Sequence, residues 1–288
     1  MRMATVVGLL HPGEMGAVLG QELVGSGYEV LWLSEGRSQE TSRRAAAAGL
    51  TDAGTLEEIA GRAAIVVAVC PPSAAVEMAA NVAGCGFSGC YVDMNAISPD
   101  SVTKAGRAIK KAGGTFVDGG IVGPPPSVAG MTRLYLSGDL AGEVAALFES
   151  TLFAAVVLDG GPGTASALKA CYAGWTKTTN ALVLAIRAAA RSYGVEAALL
   201  SEWAMSQPDL RARSEKAAIS TAPKAWRFVG EMEEHASTFE SAGIPGAFHT
   251  AAAQVFTRLA ACKDQSTVAV DEVLDAIHED NSPPGNTA

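Results

Sequence analysis

Short β-branched runs alternate with alanine-rich amphipathic stretches over the first half of the chain, the spacing of strand–helix–strand units. The runs predict strands at residues 4–9, 29–33, 65–69, 89–94, 115–121, 132–137 and 155–158. Between them, apolar positions recurring every three or four residues predict helices at 15–26, 41–48, 55–60, 74–83 and 99–112. The last opens on Ser98-Pro99, an N-cap residue followed by a proline whose missing N–H costs nothing at that position. Such alternation predicts a doubly wound parallel sheet.

After Gly160-Gly161-Pro162-Gly163 the strand pattern stops. Residues 164–193 read as one helix of about 45 Å at 1.5 Å per residue, and further helices are expected at 196–206, 210–217, 226–242, 246–261 and 268–279. The expected organisation is an α/β Rossmann domain over 1–160, an all-α domain over 161–280, and a loose tail over 281–288.

With 49% hydrophobic and 18% charged residues, the chain has apolar surface enough for a buried core and too little charge for disorder. A net charge of −9 removes the basic face that phosphate backbones need, so nucleic acid is not an expected partner. No uninterrupted apolar run reaches the roughly 18 residues of a membrane span, and the opening residues are too short for a secretory segment, so the cytoplasm is the expected location. Cys70, Cys85, Cys90, Cys171 and Cys262 form no CxxC, and the four histidines are dispersed, so neither a disulfide nor a metal is expected.

The first strand runs into Gly8-Leu9-Leu10-His11-Pro12-Gly13-Glu14-Met15-Gly16. Glycines between a first strand and first helix let the backbone approach a pyrophosphate, whose charge the helix N-terminus meets. The spacing is GxxxxGxxG, three residues longer in its first gap than the usual GxGxxG. The second strand ends at Ser34-Glu35, where an acid suits the ribose of NAD. Arg37 and Ser38 follow at once, with Arg43-Arg44 beyond, and a guanidinium beside a hydroxyl suits a 2′-phosphate. NADP is therefore the expected cofactor, with NAD as the alternative. Cys70-Pro71 and Asn95 lie at two further strand ends, where ligands collect in parallel sheets.

Four segments in order then resemble the β-hydroxyacid dehydrogenase superfamily, which includes 3-hydroxyisobutyrate and 6-phosphogluconate dehydrogenases and the related imine reductases. They are Gly13-Glu-Met15-Gly16, Asp93-Met-Asn95-Ala-Ile-Ser98-Pro99, Asp118-Gly119-Gly120-Ile121-Val122-Gly123-Pro124, and Gly163-Thr-Ala165-Ser-Ala-Leu-Lys169 at the start of the long helix. The C-terminal half resembles a branch whose helical domain has no assigned function, through Ala222–Met232 and Ala242–His249. The resemblance implies an NAD(P)-dependent oxidoreductase acting on a small hydroxy or carbonyl compound in an interdomain cleft, with Lys169 as general acid and base. It also implies a homodimer, and the apolar face of the long helix points the same way; Trp175, Trp203 and Met205 are expected in core or dimer interface.

Two departures bear on the substrate. Where the family carries an asparagine four residues after the lysine, this chain has Ala173; Asn180, about 16 Å up the helix, is too far to replace it. Lys169, Tyr172, Thr176 and Asn180 nevertheless share one face, so Tyr172 and Thr176 become substrate-contact candidates, with Lys177 a second cation. The family's Ser-Gly-Gly is altered to Val122-Gly123-Pro124, which leaves the backbone amides of Gly119, Gly120 and Gly123 to cradle an anion. Trp226, Glu231, Met232, His235, Phe248 and His249 are expected to cap the cleft, with His249 the best candidate for a substrate contact. An imine reductase is the rival enzyme reading, and an NADP-binding regulatory protein without turnover the rival outside catalysis.

Overall fold

A computed structural model describes residues 5–278. The expected tail at 281–288, the start of the first strand at residue 4 and the end of the last helix at residue 279 lie outside the described residues.

The first half folds as β1 (Val6–Leu10), α1 (Glu14–Gly25), β2 (Glu29–Trp32), α2 (Gln39–Ala47), β3 (Thr51–Asp52), α3 (Leu56–Arg62), β4 (Ile65–Ala68), α4 (Ala75–Gly84), β5 (Cys90–Asp93), α5 (Pro99–Lys111), β6 (Thr115–Val122), β7 (Thr132–Ser137), α6 (Ala141–Ala146) and β8 (Phe153–Val157). The strands form one sheet in the order β3-β2-β1-β4-β5-β6-β7-β8. Every neighbouring pair is parallel except β6 and β7. That exception has a direct cause: no helix separates the two strands, and a parallel return needs a crossover of a dozen residues or more. β3 and α6 were not anticipated from the pattern, since two residues and six residues are too few to show a period.

Consecutive side chains of the parallel strands fall in different cores. Val7 and Leu9 pack with Leu19, Val67 and Val92 on one face, while Leu10 packs with Ile59, Val66 and Tyr91 on the other. Both faces are covered, which is why the strands read as continuous apolar runs.

The second half is helical: α7 (Thr164–Ser192), α8 (Glu196–Ser206), α9 (Leu210–Thr221), α10 (Ala225–Ser241), α11 (Ala247–Arg258) and α12 (Val270–His278). Its core is built on small residues, Ala181, Ala188, Ala217, Ala218 and Ala253 among them, around Phe256 and Leu274. Arg187 lies inside, donating to Glu196 at 2.7 and 3.0 Å and to Ser214 at 3.1 Å. Trp203 is buried, whereas Trp175 and Met205 stand exposed.

Two compact units result, divided between Ala170 and Cys171 and not at residue 160. The first turns of α7 belong to the sheet because two strand residues cap them. Asp118 accepts the Gly163 N–H at 2.8 Å, the Ser166 N–H at 3.0 Å and the Ser166 hydroxyl at 2.6 Å. Ser137 accepts the Ala165 N–H and donates to Asp118, both at 3.1 Å. Asp118→Ala would strand several buried donors, and a loss of about 3–5 kcal/mol is expected, read as a lower urea midpoint.

Candidate functional site

The expected cofactor residues lie along the C-terminal ends of the parallel strands. Gly8, Leu9 and Leu10 are strand residues of β1. Leu9 and Leu10 are wholly buried in opposite cores, and a Cβ on Gly8 would come within 2.4 Å of Ile59. The loop proper starts at His11, which takes a left-handed φ of 72° and whose carbonyl accepts the Gly13 N–H at 2.8 Å. Pro12 is buried behind it. A Cβ on Gly16 would lie 2.7 Å from the same carbonyl, so only glycine lets loop and helix close together.

Ser38, Thr55 and Ser98 each cap a helix by accepting a backbone N–H, whereas Gly13 before α1, like Ala74 before α4, carries no capping side chain. A helix start without a side-chain cap suits an anion, which the helix dipole favours.

Beyond β2, the Ser34 carbonyl accepts the Arg37 N–H at 3.1 Å, and Glu35 is exposed. Arg37 folds back over the loop: its Nη1 donates to His11 Nδ1 at 2.7 Å, and its Nε is buried without a partner. Burial, then the charges of Arg37 and Arg44, hold His11 below the ordinary 6.5, which keeps its ring neutral and able to accept. The Ser38 hydroxyl caps α2, accepting from Thr41 at 3.2 Å, and Arg44 pairs with Glu40. Arg37 is thus the guanidinium that faces the loop.

At the ends of β4 and β5, Asn95 Oδ1 accepts the Cys70 N–H at 2.6 Å, and Asn95 Nδ2 is buried without a partner. Burial pushes the Cys70 thiol up to about 12, which leaves it inert, and Pro71 beyond it is exposed.

Asp93 and Asp118 stand in register on β5 and β6, both fully buried. Neither carries a role in the motifs that contain it; the available signal is an aspartate near the end of two successive strands. Asp93 Oδ1 accepts the Asn95 N–H at 2.9 Å, while Oδ2 has no hydrogen-bond partner. Burial pushes the Asp93 carboxyl from 3.8 up to about 7; the Asn95 N–H opposes this, Asp118 adds to it, and Lys169 also opposes. Lys169 therefore lies within electrostatic reach of Asp93.

What sets Lys169 there is a missing methyl. A Cβ on Gly120 would come within 2.9 Å of the Ala165 carbonyl and 3.1 Å of the Lys169 Cβ, and one on Gly119 within 2.9 Å of the Asp93 carbonyl. Gly119 and Gly120 sit in the β6–β7 ladder, where their missing side chains make room for packing. Gly123 turns at a φ of 127° against Thr132 and Met131, and Val122 is buried beside it.

Farther along α7, Tyr172 is 48% exposed, the Thr176 hydroxyl donates to its own helix at the Tyr172 carbonyl (3.3 Å), and Asn180 donates to Thr221. His249 lies in the helical unit. It is 4% exposed, hydrogen-bonded to Thr178 at 2.8 Å and against the Phe239 ring at 4.3 Å. Thr178 is nine residues past Lys169, half a turn round the helix and about 13 Å along it, so His249 packs on the face opposite the lysine. Lys177 pairs with Glu231, and Phe248 is exposed.

Residues 5–142 match the family model of the NAD binding domain of 6-phosphogluconate dehydrogenase, and residues 190–259 match a domain of unknown function, DUF1932. The chain belongs to the β-hydroxyacid dehydrogenase superfamily. With membership comes the coarse activity, NAD(P)-dependent oxidoreduction. Among solved structures, the conserved protein MTH1747, whose structure reveals similarity with 3-hydroxyacid dehydrogenases, is 29% identical; the match covers 89% of this chain and 97% of that one, with a TM-score of 0.67. The 3-hydroxyisobutyrate dehydrogenase of Mycobacterium tuberculosis is 17% identical over 96% of this chain and 100% of its own, TM-score 0.72. An imine reductase of Streptomyces aurantiacus is 20% identical over 96% and 100%, TM-score 0.52. No curated protein matches the sequence.

The residues of this superfamily member fit a bound NAD(P): the α1 start lacks a side-chain cap, Gly16 is held to glycine, and Asn95 Nδ2 and Arg37 Nε are buried polar atoms without partners. Among the described residues no group of three His, Cys, Asp or Glu is placed to hold a metal, and no helix is long and apolar enough to cross a membrane.

Because the native Asp93 carboxyl keeps its proton up to about pH 7 and the unfolded one loses it near 3.8, stability is lost as pH rises between those values. Asp93→Asn removes that titration. Its thermal stability relative to the natural protein should rise from pH 4 to 7, by at most about 1.4 kcal/mol per pH unit, and level off above; a gap independent of pH would refute the assignment.

Proposed function

We propose that this chain transfers hydride between NADPH and a small hydroxy or carbonyl compound, with Lys169 as the proton carrier. The observation that supports the reading is the packing of Lys169 on Gly120 within electrostatic reach of Asp93, at the strand ends where the cofactor residues also lie. A bound nicotinamide supplies hydride to the carbonyl carbon or accepts it from the alcohol carbon. In reduction the Lys169 ammonium gives a proton to the substrate oxygen, and in oxidation the neutral amine takes it back. Tyr172, exposed on the lysine's face, is the nearest candidate for orienting that oxygen. Arg37 supports NADP over NAD, since its guanidinium is held at the loop and retains a buried N–H without an acceptor.

Lys169→Ala should lower kcat by about 10²-fold or more while leaving the Kd for NADPH unchanged. Retention of more than about a tenth of kcat would sink the role. Ala173, where the superfamily's asparagine is absent, favours one second reading, reduction of C=N. A panel of cyclic imines and β-hydroxy acids, followed by NADPH consumption or formation, separates the two.

We further propose a homodimer formed through α7, along which Trp175, Leu182, Ile186 and Tyr193 make an exposed apolar stripe at helical spacing. Sedimentation at micromolar concentration should give twice the monomer mass, and Trp175→Glu should shift it toward monomer; a natural protein that sediments as a monomer refutes the proposal.

A further inference from the structure

We propose that His11 is a specificity-determining positioning residue: from within the pyrophosphate loop it holds the Arg37 guanidinium oriented for the 2′-phosphate of NADPH. The inference rests on the reading that Arg37 takes that phosphate.

Arginine has donors only, so in the 2.7 Å contact Nδ1 of His11 is the acceptor, and the ring is the neutral tautomer with its proton on Nε2. Among the described residues His11 is the only side-chain partner of Arg37, and no carboxylate pairs with it. Glu40, three residues on, is taken by Arg44. One edge of the guanidinium is therefore anchored on a neutral acceptor, which adds no negative charge to repel a phosphate, while the buried Nε stays unmatched. A free arginine side chain must give up rotamer freedom to hold one geometry. An anchor formed beforehand removes much of that cost from binding.

The backbone points the same way. His11 sits at a φ of 72°, a region that suits glycine and tolerates asparagine, yet disfavours most side chains. A glycine would fit without strain, so the imidazole is carried at a backbone cost. With Gly8 inside β1, the loop reads His11-Pro12-Gly13-Glu14-Met15-Gly16, so His11 stands at the first position of a GxGxxG spacing and brings a side chain within reach of the residue that follows β2.

The backbone preference also chooses the variants. His11→Gly keeps the loop geometry and deletes the acceptor; His11→Asn tolerates the same φ and offers a carbonyl oxygen. Kd values for NADPH and NADH are measured by calorimetry on the natural protein, both His11 variants, Arg37→Ala and the double variant H11G/R37A, with thermal melts as a check of folding. Expected are a rise of about tenfold in the NADPH Kd for His11→Gly, corresponding to one hydrogen bond to a charged group, NADH unchanged within about twofold, and recovery of most of the loss in His11→Asn. The double variant should be little worse than Arg37→Ala, because both act through one guanidinium. If Arg37→Ala erases the NADPH preference but His11→Gly does not, the His11 role is overturned and the cofactor reading stands. If Arg37→Ala leaves the preference intact, both fall. An equal loss for NADPH and NADH in His11→Gly would mean a role in loop shape alone and also overturns the proposal.

Discussion

Asp118, a carboxylate sealed from water, sets where the long helix begins. It accepts from Gly163, from both donors of Ser166 and from Ser137, so the first turn of α7 is tied to β6 and, through Ser137, to β7. A capped helix start cannot slide or rotate without stranding those donors. Lys169 lies six residues past Gly163, so its angular position follows from the same bonds. Asp93 stands in register beside Asp118, and burial above all pushes its carboxyl up, with the neighbouring Asp118 adding to the effect.

Small residues do complementary work. Gly120 brings the α7 backbone onto β6, Gly119 makes room for the end of β5, and Gly16 lets the phosphate loop touch α1. In each case the distance to the would-be Cβ is 2.9 Å or less, too close for any side chain. The helical unit applies the same economy with alanine, and the Arg187 guanidinium buried there is paired with Glu196 and Ser214.

Much of this was legible in the sequence, for stated reasons. The strand runs were continuous because both sheet faces are covered, and Ser98-Pro99 named the start of α5 because capping is local chemistry. The antiparallel return of β7 was also written in the absence of an intervening helix, though the alternating pattern before it suggested otherwise. What local pattern does not carry is tertiary contact. A glycine that receives a ligand and one that makes room for packing look alike in sequence, and the close approach of α7 to Gly120 and of the β5 end to Gly119 had no local signature. His249 had the right chemistry, but its helix presents it to Thr178 and Phe239. The pairing of His11 with Arg37 joins residues 26 positions apart and had no local signature.

The two-residue β3 has a consequence for solubility. A sheet margin is a row of unsatisfied amides and carbonyls that another chain can extend into a fibril, and natural sheets blunt it by shortness and charge. Here that margin is only Thr51 and Asp52, both exposed, and the Asp52 carboxylate turns back to accept the Gly54 N–H. The net charge of −9 adds a general repulsion between copies. On that side of the sheet, the two-residue strand leaves little ladder for another chain to extend.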